Sequence, residues 1–204
     1  SGYRPHDGFF QRTIAGSSPA DFTLVRSPDS LGEQFSFAQV TDLHVEPAPA
    51  KLTSPKLLSA DLRELCELSS PAFIVVSGDL TQTGSIAELE ACKSGITGLD
   101  VPIFPMFGGH DGNSERQAGS GDGTDTYTRN WEQVFGPIGY SIDWGGWHIV
   151  LVTNEDTLFL SSDDRSRRAA WLRNDLEIHQ DRPTILVTHE PPRMDWLDSI
   201  AQCS

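Results

Sequence analysis

Residues 71–80 have the sequence PAFIVVSGDL, an apolar run of strand-forming residues that ends in a glycine and an aspartate. Two further stretches share this organisation, FSFAQV at residues 35–40 and VPIFPMF at residues 101–107. Strands buried on both faces are typically continuous in apolar residues rather than alternating. We therefore predict three parallel strands, and we expect helices to cover both faces of the sheet that they form.

Helical patterns separate these strands, over residues 53–68 and about 85–95. In the first, Leu58, Leu62 and Leu65 recur at three-to-four spacing, which is typical of one buried helix face. The alternation predicts an α/β fold, a layered sheet flanked by helices. Further elements are predicted downstream: a short helix at 128–136, a hairpin around Gly145-Gly146, a helix at 167–179 and a strand at 183–190.

The domain boundaries follow from where these patterns begin. Residues 1–33 carry scattered glycine, serine and proline with one short apolar stretch, which predicts an N-terminal arm or the remnant of a preceding module. We assign residues 34–204 to the α/β domain. The polar, glycine-rich residues 112–126 predict a long loop of the kind that borders a functional site.

Charge and composition exclude several classes of function. The 204 residues carry a net charge of -14, which disfavours non-specific binding to nucleic acid. No apolar run approaches the ~18 residues that a membrane-spanning helix needs. Three widely spaced cysteines predict neither a disulfide framework nor a thiolate metal site. No signal peptide is visible at the start, and neither the compartment nor the oligomeric state is indicated.

Polar residues that can bind metals or move protons follow each apolar strand. They are Asp42 and His44, then Asp79, then His110 and Asp111, and finally His189. Ligands of open α/β sheets bind at the carboxyl ends of the strands, so we expect these side chains to converge. Carboxylate and imidazole donors together suit divalent ions such as Zn, Mn, Fe or Ni. Each signal is weak alone, and their order on successive strands favours a metal site.

The motifs Asp42-Leu43-His44, Gly78-Asp79-Leu80-Thr81, Gly108-Gly109-His110-Asp111 and Thr188-His189-Glu190 resemble those of the calcineurin-like metallophosphoesterases. The resemblance spans residues 35 to about 192 and implies the α/β sandwich of that family. It implies a binuclear metal centre that hydrolyses a small phosphomonoester or phosphodiester. By this resemblance Asp42 and His44 bind the first metal ion, Asp79 bridges both ions, and His189 binds the second.

The same resemblance suggests roles for the third motif. His110 would stabilise the transition state or protonate the leaving oxygen, and Asp111 would orient its ring. An imidazole with a pKa near ~6.5 is a competent proton donor at neutral pH.

Two departures from the family pattern affect the expected activity. Gly109 stands where the family has an asparagine that binds the second metal, and Asn113 is an alternative ligand, although loop solvation is its simpler role. The closing G-H-x-H motif is absent, so we expect a chain that is incomplete at its C-terminus. By this count the first metal keeps three protein ligands and the second keeps two. We expect weak binding at the first position, a mostly empty second position and impaired activity.

Two other functions remain open at this stage. One is a catalytically inactive scaffold with the same fold that binds a protein or a small ligand. The other is a mononuclear metal hydrolase that acts on a non-phosphate ester. For His148 and His179, which lie in an apolar run and near a helix end, we expect structural roles.

Overall fold

A computed structural model describes residues 3–5, 24–26, 34–47, 53–113, 127–154 and 162–192. Eight strands and four helices form in these ranges. The strands are β1 Tyr3–Pro5, β2 Leu24–Arg26, β3 Ala38–Val40, β4 Ile74–Ser77, β5 Ile103–Met106, β6 Gly139–Trp144, β7 Trp147–Val152 and β8 Thr184–Val187. The helices are α1 Pro55–Ser69, α2 Ile86–Ile96, α3 Arg129–Val134 and α4 Ser162–Ile178, and a 3-10 turn spans Gly109–Asp111.

Local sequence signals explain where the two central helices begin. Ser54 caps α1, since its hydroxyl accepts a hydrogen bond from the N–H of Leu57, and Pro55 follows at the first helical position. Ser85 caps α2 in the same way through the N–H of Glu88. Both helices lie within a residue or two of the predicted positions.

The first sheet has the order β3-β4-β5, and its strands are parallel as predicted. Strand β4 is central and buried along its length. Each parallel step needs a crossover, which α1 supplies between β3 and β4 and α2 between β4 and β5. This arrangement places the carboxyl ends of all three strands at one edge.

The second sheet has the order β6-β7-β8. Strands β6 and β7 form the predicted antiparallel hairpin, and its turn residues Gly145 and Gly146 have φ values of 55° and 85°. Such positive values suit a two-residue hairpin turn and favour glycine. Strand β8 pairs with β7 in parallel after the α4 crossover.

The prediction that helices cover both faces of the parallel sheet is wrong in one respect. On one face, Ile74 and Val76 pack against the helices. On the other face, Phe73 and Val75 pack against the second sheet in a cluster that includes Ile149 and Leu151. Successive strand residues point to opposite faces, so a continuous apolar run fills two different interfaces. The layers are therefore helix, sheet and sheet, as in the α/β sandwich, and α4 packs through Leu172 on the outside of the second sheet.

Some predictions fall partly outside the described residues. In the N-terminal region, β1 and β2 form an antiparallel pair, and the assignment of residues 1–33 as an arm stays a prediction. Residues 114–126 of the predicted site loop and residues 193–204 lie outside the described part of the chain. None of the described helices combines the length and apolar composition that crossing a membrane requires.

Candidate metal centre

Backbone pairing continues past the ends of β3 and β4 and aligns two of the motifs. The N–H of Asp42 donates to the carbonyl of Gly78 (3.1 Å), and the N–H of His44 donates to the carbonyl of Asp79 (3.1 Å). A further bond joins the N–H of Val45 to the carbonyl of Leu80 (2.8 Å). This extension of the parallel ladder brings the side chains of Asp42 and His44 to that of Asp79.

His189 reaches the same place from the second sheet. Its Nδ1 lies 2.9 Å from the carbonyl oxygen of Ser77, and its Nε2 lies 3.3 Å from Oδ2 of Asp79. A carbonyl oxygen only accepts hydrogen bonds, so the contact with Ser77 places the ring proton on Nδ1. In the neutral ring, the lone pair of Nε2 therefore faces the Asp79 carboxylate.

Glycine is required at two positions that surround Asp79. A Cβ atom on Gly78 would lie 2.6 Å from Nδ1 of His189, and one on Gly108 would lie 2.3 Å from the backbone nitrogen of Asp79. Real Cβ contacts of this length essentially never occur. The missing side chains allow the second sheet and the third motif to approach the aspartate closely.

The backbone is unusual at the three clustered ligand candidates. Asp42, His44 and Asp79 have φ values of 56°, 44° and 53°. Among the described residues, the only other non-glycine residue with positive φ is Ser70, at the end of α1. A left-handed backbone is costly for residues with a side chain, and such residues cluster at functional sites. Three in one cluster therefore support a functional role.

Asp79 is held by several groups at once. Its Oδ1 accepts a hydrogen bond from the backbone N–H of His110 (3.0 Å), while its Oδ2 faces His189. Burial raises the pKa of Asp79, but the close contact with the His189 imidazole and the hydrogen bond from the backbone N–H of His110 outweigh it, and the net effect lowers the pKa. The carboxylate is thus ionised at neutral pH, which is the form that binds cations.

The donor atoms fit a divalent metal ion. Nε2 of His44 lies 4.0 Å from Oδ2 of Asp79 and 3.9 Å from Oδ1 of Asp42, and ligand atoms of these three residues lie within 4.8 Å of one another. Two acceptors that face each other at 3.3 Å, as in His189 and Asp79, need a proton or a cation between them. The ligand atoms of a tetrahedral ion are about 3.3 Å apart. Nδ1 of His44 is buried and finds no hydrogen-bond partner among the described residues.

The ring of His110 is held by Gln82, and the expectation that Asp111 orients it is not met. Nδ1 of His110 lies 3.0 Å from the backbone oxygen of Gln82 and 3.2 Å from its side-chain nitrogen. The contact with the carbonyl favours a proton on Nδ1. Nε2 is then the ring nitrogen that can accept or release a proton. The ring makes an edge contact with His44, with centroids 5.0 Å apart.

Asp111 points away from that ring into the core. Its side chain is fully buried, where Oδ1 accepts hydrogen bonds from the N–H and the hydroxyl of Thr81, and Oδ2 accepts one from the N–H of Gly108. Burial raises the pKa of Asp111 to about 7 against the opposing effect of these bonds. Through these hydrogen bonds, its carboxyl group connects the third motif to the loop after β4.

Two contacts at the site were missed by sequence reasoning. Gln82 received no role, because neutral amides bear no charge or metal signal, although it lies only three residues after Asp79. Tyr127 donates its hydroxyl proton to the backbone oxygen of Gly109 (2.6 Å). That bond ties the end of the 112–126 loop to the third motif. Asn113 donates its backbone N–H to the carbonyl of Tyr127 (3.0 Å), and its role as a metal ligand stays untested.

Comparisons with known proteins found a matching family model, a related protein and a similar structure. The family model described as calcineurin-like phosphoesterase matches residues 35–202. A probable cyclic nucleotide phosphodiesterase from Synechococcus sp. is 31% identical over 163 residues, which cover 77% of this chain and 58% of that protein. The chain thus spans less than two thirds of this relative's length. A purple acid phosphatase from yellow lupin (Lupinus luteus) seeds matches with 16% identity and a TM-score of 0.45, over 75% of this chain and 30% of that one.

Proposed function

The chain belongs to the calcineurin-like phosphoesterase family, and we propose that it hydrolyses phosphate esters with divalent metal ions held at the Asp79 cluster. The observation that carries this proposal is the placement of Asp79 Oδ2 between two imidazoles. Nε2 of His189 lies 3.3 Å from this oxygen and Nε2 of His44 lies 4.0 Å from it. The two rings follow strands of different sheets, and both approach the Asp79 carboxylate.

The metal-binding roles follow the positions of the side chains. Asp42, His44 and Asp79 would hold the first ion, and Asp79 and His189 would hold the second. Divalent ions bound there supply a water of lowered pKa as nucleophile and neutralise charge on the phosphate group. Asp42 is largely exposed, which leaves the cluster open to an incoming ester. The backbone N–H of His110 keeps one oxygen of Asp79 occupied and so fixes the plane of the carboxylate.

His110 would hold or release a proton at Nε2. Its Nδ1 is engaged by Gln82, and its ring lies against that of His44, so Nε2 is the nitrogen available to a substrate. An imidazole in that position can protonate the leaving oxygen or stabilise charge on the phosphate. Asp111 would act on this step indirectly, by holding the turn that carries His110.

A phosphodiester is the substrate class that we favour, and a cyclic nucleotide is the first to test. Support comes from the relative from Synechococcus sp., which is named as a probable cyclic nucleotide phosphodiesterase. The net charge of -14 opposes long polyanions and is compatible with a small ester of low charge. Phosphomonoesters are the alternative within the same chemistry.

We further propose that the two ion positions differ in affinity. By the proposed assignment the first would have three protein ligands among the described residues and the second would have two, whereas catalytic sites usually keep at least three. Titration calorimetry with Mn²⁺ should therefore show one ion bound more tightly than the other. Two equally tight equivalents would contradict this difference.

The test of the function compares hydrolysis of cyclic AMP, bis-p-nitrophenyl phosphate and p-nitrophenyl phosphate with added Mn²⁺, Ni²⁺ or Zn²⁺. We expect activity that falls about a hundredfold or more in Asp79→Asn, because the bridging charge is lost. Asp181→Asn is the matched control, since Asp181 is an exposed aspartate whose described ion pair is with Arg182. If the parent protein is as inactive as Asp79→Asn with every metal, the proposed enzymatic function is wrong. The alternative, a catalytically inactive scaffold that binds a protein or a small ligand, is then favoured.

A further inference from the structure

A second cluster of metal-ligating side chains lies at the other end of the second sheet. His148, at the start of β7, pairs in register with Thr184, at the start of β8. His189 follows Thr184 by five residues, so the two sites are on the order of 15 Å apart along the strand. Asp143 on β6 and His179 just after α4 complete the cluster, and ligand atoms of Asp143, His148 and His179 lie within 4.8 Å of one another.

The central histidine is buried and faces two carboxylates. His148 is 1% exposed, its Nδ1 lies 2.9 Å from Oδ1 of Asp143, and its Nε2 lies 2.8 Å from Oδ2 of Asp175. A neutral imidazole donates from one nitrogen only, and an ionised carboxylate cannot donate. One of these two contacts therefore needs an added proton or a cation.

Asp175 orients both imidazoles. Its carboxylate accepts from Nε2 of His148, and its backbone oxygen accepts from Nδ1 of His179 (2.8 Å). With these nitrogens protonated, the lone pairs of His148 Nδ1 and His179 Nε2 are free for a metal ion. Metal-binding histidines characteristically donate their other ring N–H to a carboxylate or a backbone carbonyl.

The third ligand candidate is oriented as well. Nη1 of Arg182 lies 2.9 Å from Oδ2 of Asp143, which leaves Oδ1 toward His148. Burial raises the pKa of Asp143, but the hydrogen bond from His148 and the charge of Arg182 outweigh it, so the net pKa is lowered. Asp143 therefore stays ionised, and it is half-exposed, which gives an ion a path from solvent.

We propose that Asp143, His148 and His179 form a second divalent cation site of the Zn²⁺ class, separate from the phosphoesterase centre and structural in role. Two nitrogens and one oxygen suit a borderline ion, and water would complete the tetrahedron. The rings of His148 and His179 are stacked with centroids 3.9 Å apart, so His179 must tilt to bring its lone pair toward the ion. His179 is partly exposed and follows the last residue of α4.

Such an ion would cross-link three elements of the second sheet and its flanking helix. It would join β6, β7 and the segment between α4 and β8, and β8 leads to His189. Because histidine and carboxylate ligands bind a metal ion in their deprotonated forms, affinity should increase as the pH rises. Because ligands of the native state stabilise by mass action, Zn²⁺ at about a hundred times its Kd should raise the melting temperature by roughly 5–10 °C.

The experiment uses the full chain with Asp42→Asn and Asp79→Asn, which removes two ligands of the phosphoesterase centre. Calorimetry should still show one equivalent of Zn²⁺, and Co²⁺ should give the visible absorption of a tetrahedral site. Adding Asp143→Asn or His179→Gln should weaken binding at least tenfold, and Asp175→Asn should weaken it by about ten- to a hundredfold. These variants change partly exposed or peripheral groups, and their melting curves without metal verify folding.

Asp181→Asn is the matched control, an exposed carboxylate that contacts Arg182 but offers no ligand to the cluster. Its Zn²⁺ affinity should equal that of the background protein. The proposal is overturned if the background protein binds no Zn²⁺, or if Asp181→Asn weakens binding as much as His179→Gln. It is also overturned if nitrogen NMR shows that both ring nitrogens of His148 keep their protons in excess Zn²⁺, since the cluster is then a buried ion pair.

Discussion

Nε2 of His189 lies 3.3 Å from Oδ2 of Asp79, although the two residues follow strands of different sheets. The contact therefore depends on how the sheets pack, and not on either strand alone. Gly78 makes the approach possible, because it leaves open the space that the imidazole occupies. The geometry of the site is thus coupled to the packing of the core between the sheets.

This coupling predicts that Gly78→Ala damages metal binding as well as stability. A Cβ atom would lie 2.6 Å from Nδ1 of His189, and the residue has a φ of 104°, so the substitution adds a clash to backbone strain. We expect the free energy of unfolding to fall by about 2–4 kcal/mol. Metal affinity, measured by calorimetry, should fall with it because His189 is displaced.

Gly98→Ala separates the effect of backbone strain from the effect of the clash with His189. Gly98 has a φ of 81°, and a Cβ atom there would meet nothing within 4 Å. Only the strain of about 1 kcal/mol should appear, with metal affinity unchanged. Equal losses of stability in the two variants, with equal metal affinity, would show that His189 does not need the space at Gly78.

The buried carboxyl group of Asp111 predicts a pH dependence of stability in the metal-free protein. Its folded pKa of about 7 exceeds the ordinary value of 3.8 for an aspartate, so the folded state binds the proton more tightly than the unfolded state. The stabilisation is complete below about pH 4 and is lost as the pH rises through 7, with a total on the order of 4 kcal/mol. Denaturant unfolding between pH 4 and 8 measures this slope.

Asp111→Asn supplies the comparison for that slope. The amide resembles the protonated carboxyl group in shape, and it does not titrate. The difference in unfolding free energy between the parent and the variant should therefore shrink or reverse as the pH rises. A difference that stays constant across this range would mean that Asp111 is ionised throughout, stabilised by the hydrogen bonds from Thr81 and Gly108.

Gln82 predicts a mild catalytic defect with intact metal binding. Gln82→Ala removes the side-chain contact at 3.2 Å with Nδ1 of His110 but keeps the backbone oxygen that accepts from Nδ1 at 3.0 Å, so the ring keeps its hydrogen bond and loses only a packing contact. We expect kcat to fall by about tenfold or less, with unchanged metal stoichiometry. Gln133→Ala, in an exposed glutamine of α3, should leave kcat unchanged. A change in metal stoichiometry in Gln82→Ala would argue that this residue supports the metal centre rather than His110.

The sequence predicted the strands and helices well because each carries a local signal. Hydrophobic spacing located α1 and α2, and the glycine pair located the β6-β7 turn. The second sheet's position against β4 could not be predicted, because Phe73, Ile74 and Val75 are all apolar and do not indicate what covers each face. An apolar strand indicates that both of its faces are buried, but it does not indicate which element covers each face.

The candidate site shows the same limit at the level of single residues. The structure brings together Asp42, His44, Asp79 and His189, as strand-end convergence predicted. Asp111 was given the wrong contact because adjacent residues in a 3-10 turn point in different directions, so nearness in sequence to His110 did not mean contact. The positive φ values at Asp42, His44 and Asp79 could not be predicted from residue type, since aspartate and histidine occur with ordinary backbone angles as well.

Gly109 offers the sharpest test of the difference between the two ion positions. It lies in the 3-10 turn Gly109–Asp111, a right-handed conformation that asparagine adopts, and its described hydrogen bonds, from the hydroxyl of Tyr127 and the N–H of Gly112, use the backbone oxygen. Gly109→Asn should therefore fold and add a carbonyl ligand beside the position to which we assign Asp79 and His189. We expect Mn²⁺ binding measured by calorimetry to approach two equivalents, with faster hydrolysis of bis-p-nitrophenyl phosphate. Gly98→Asn places the same side chain at an open, remote turn and should change neither quantity. If a folded Gly109→Asn protein binds no more Mn²⁺ than the parent, the side chain at position 109 does not face the second ion.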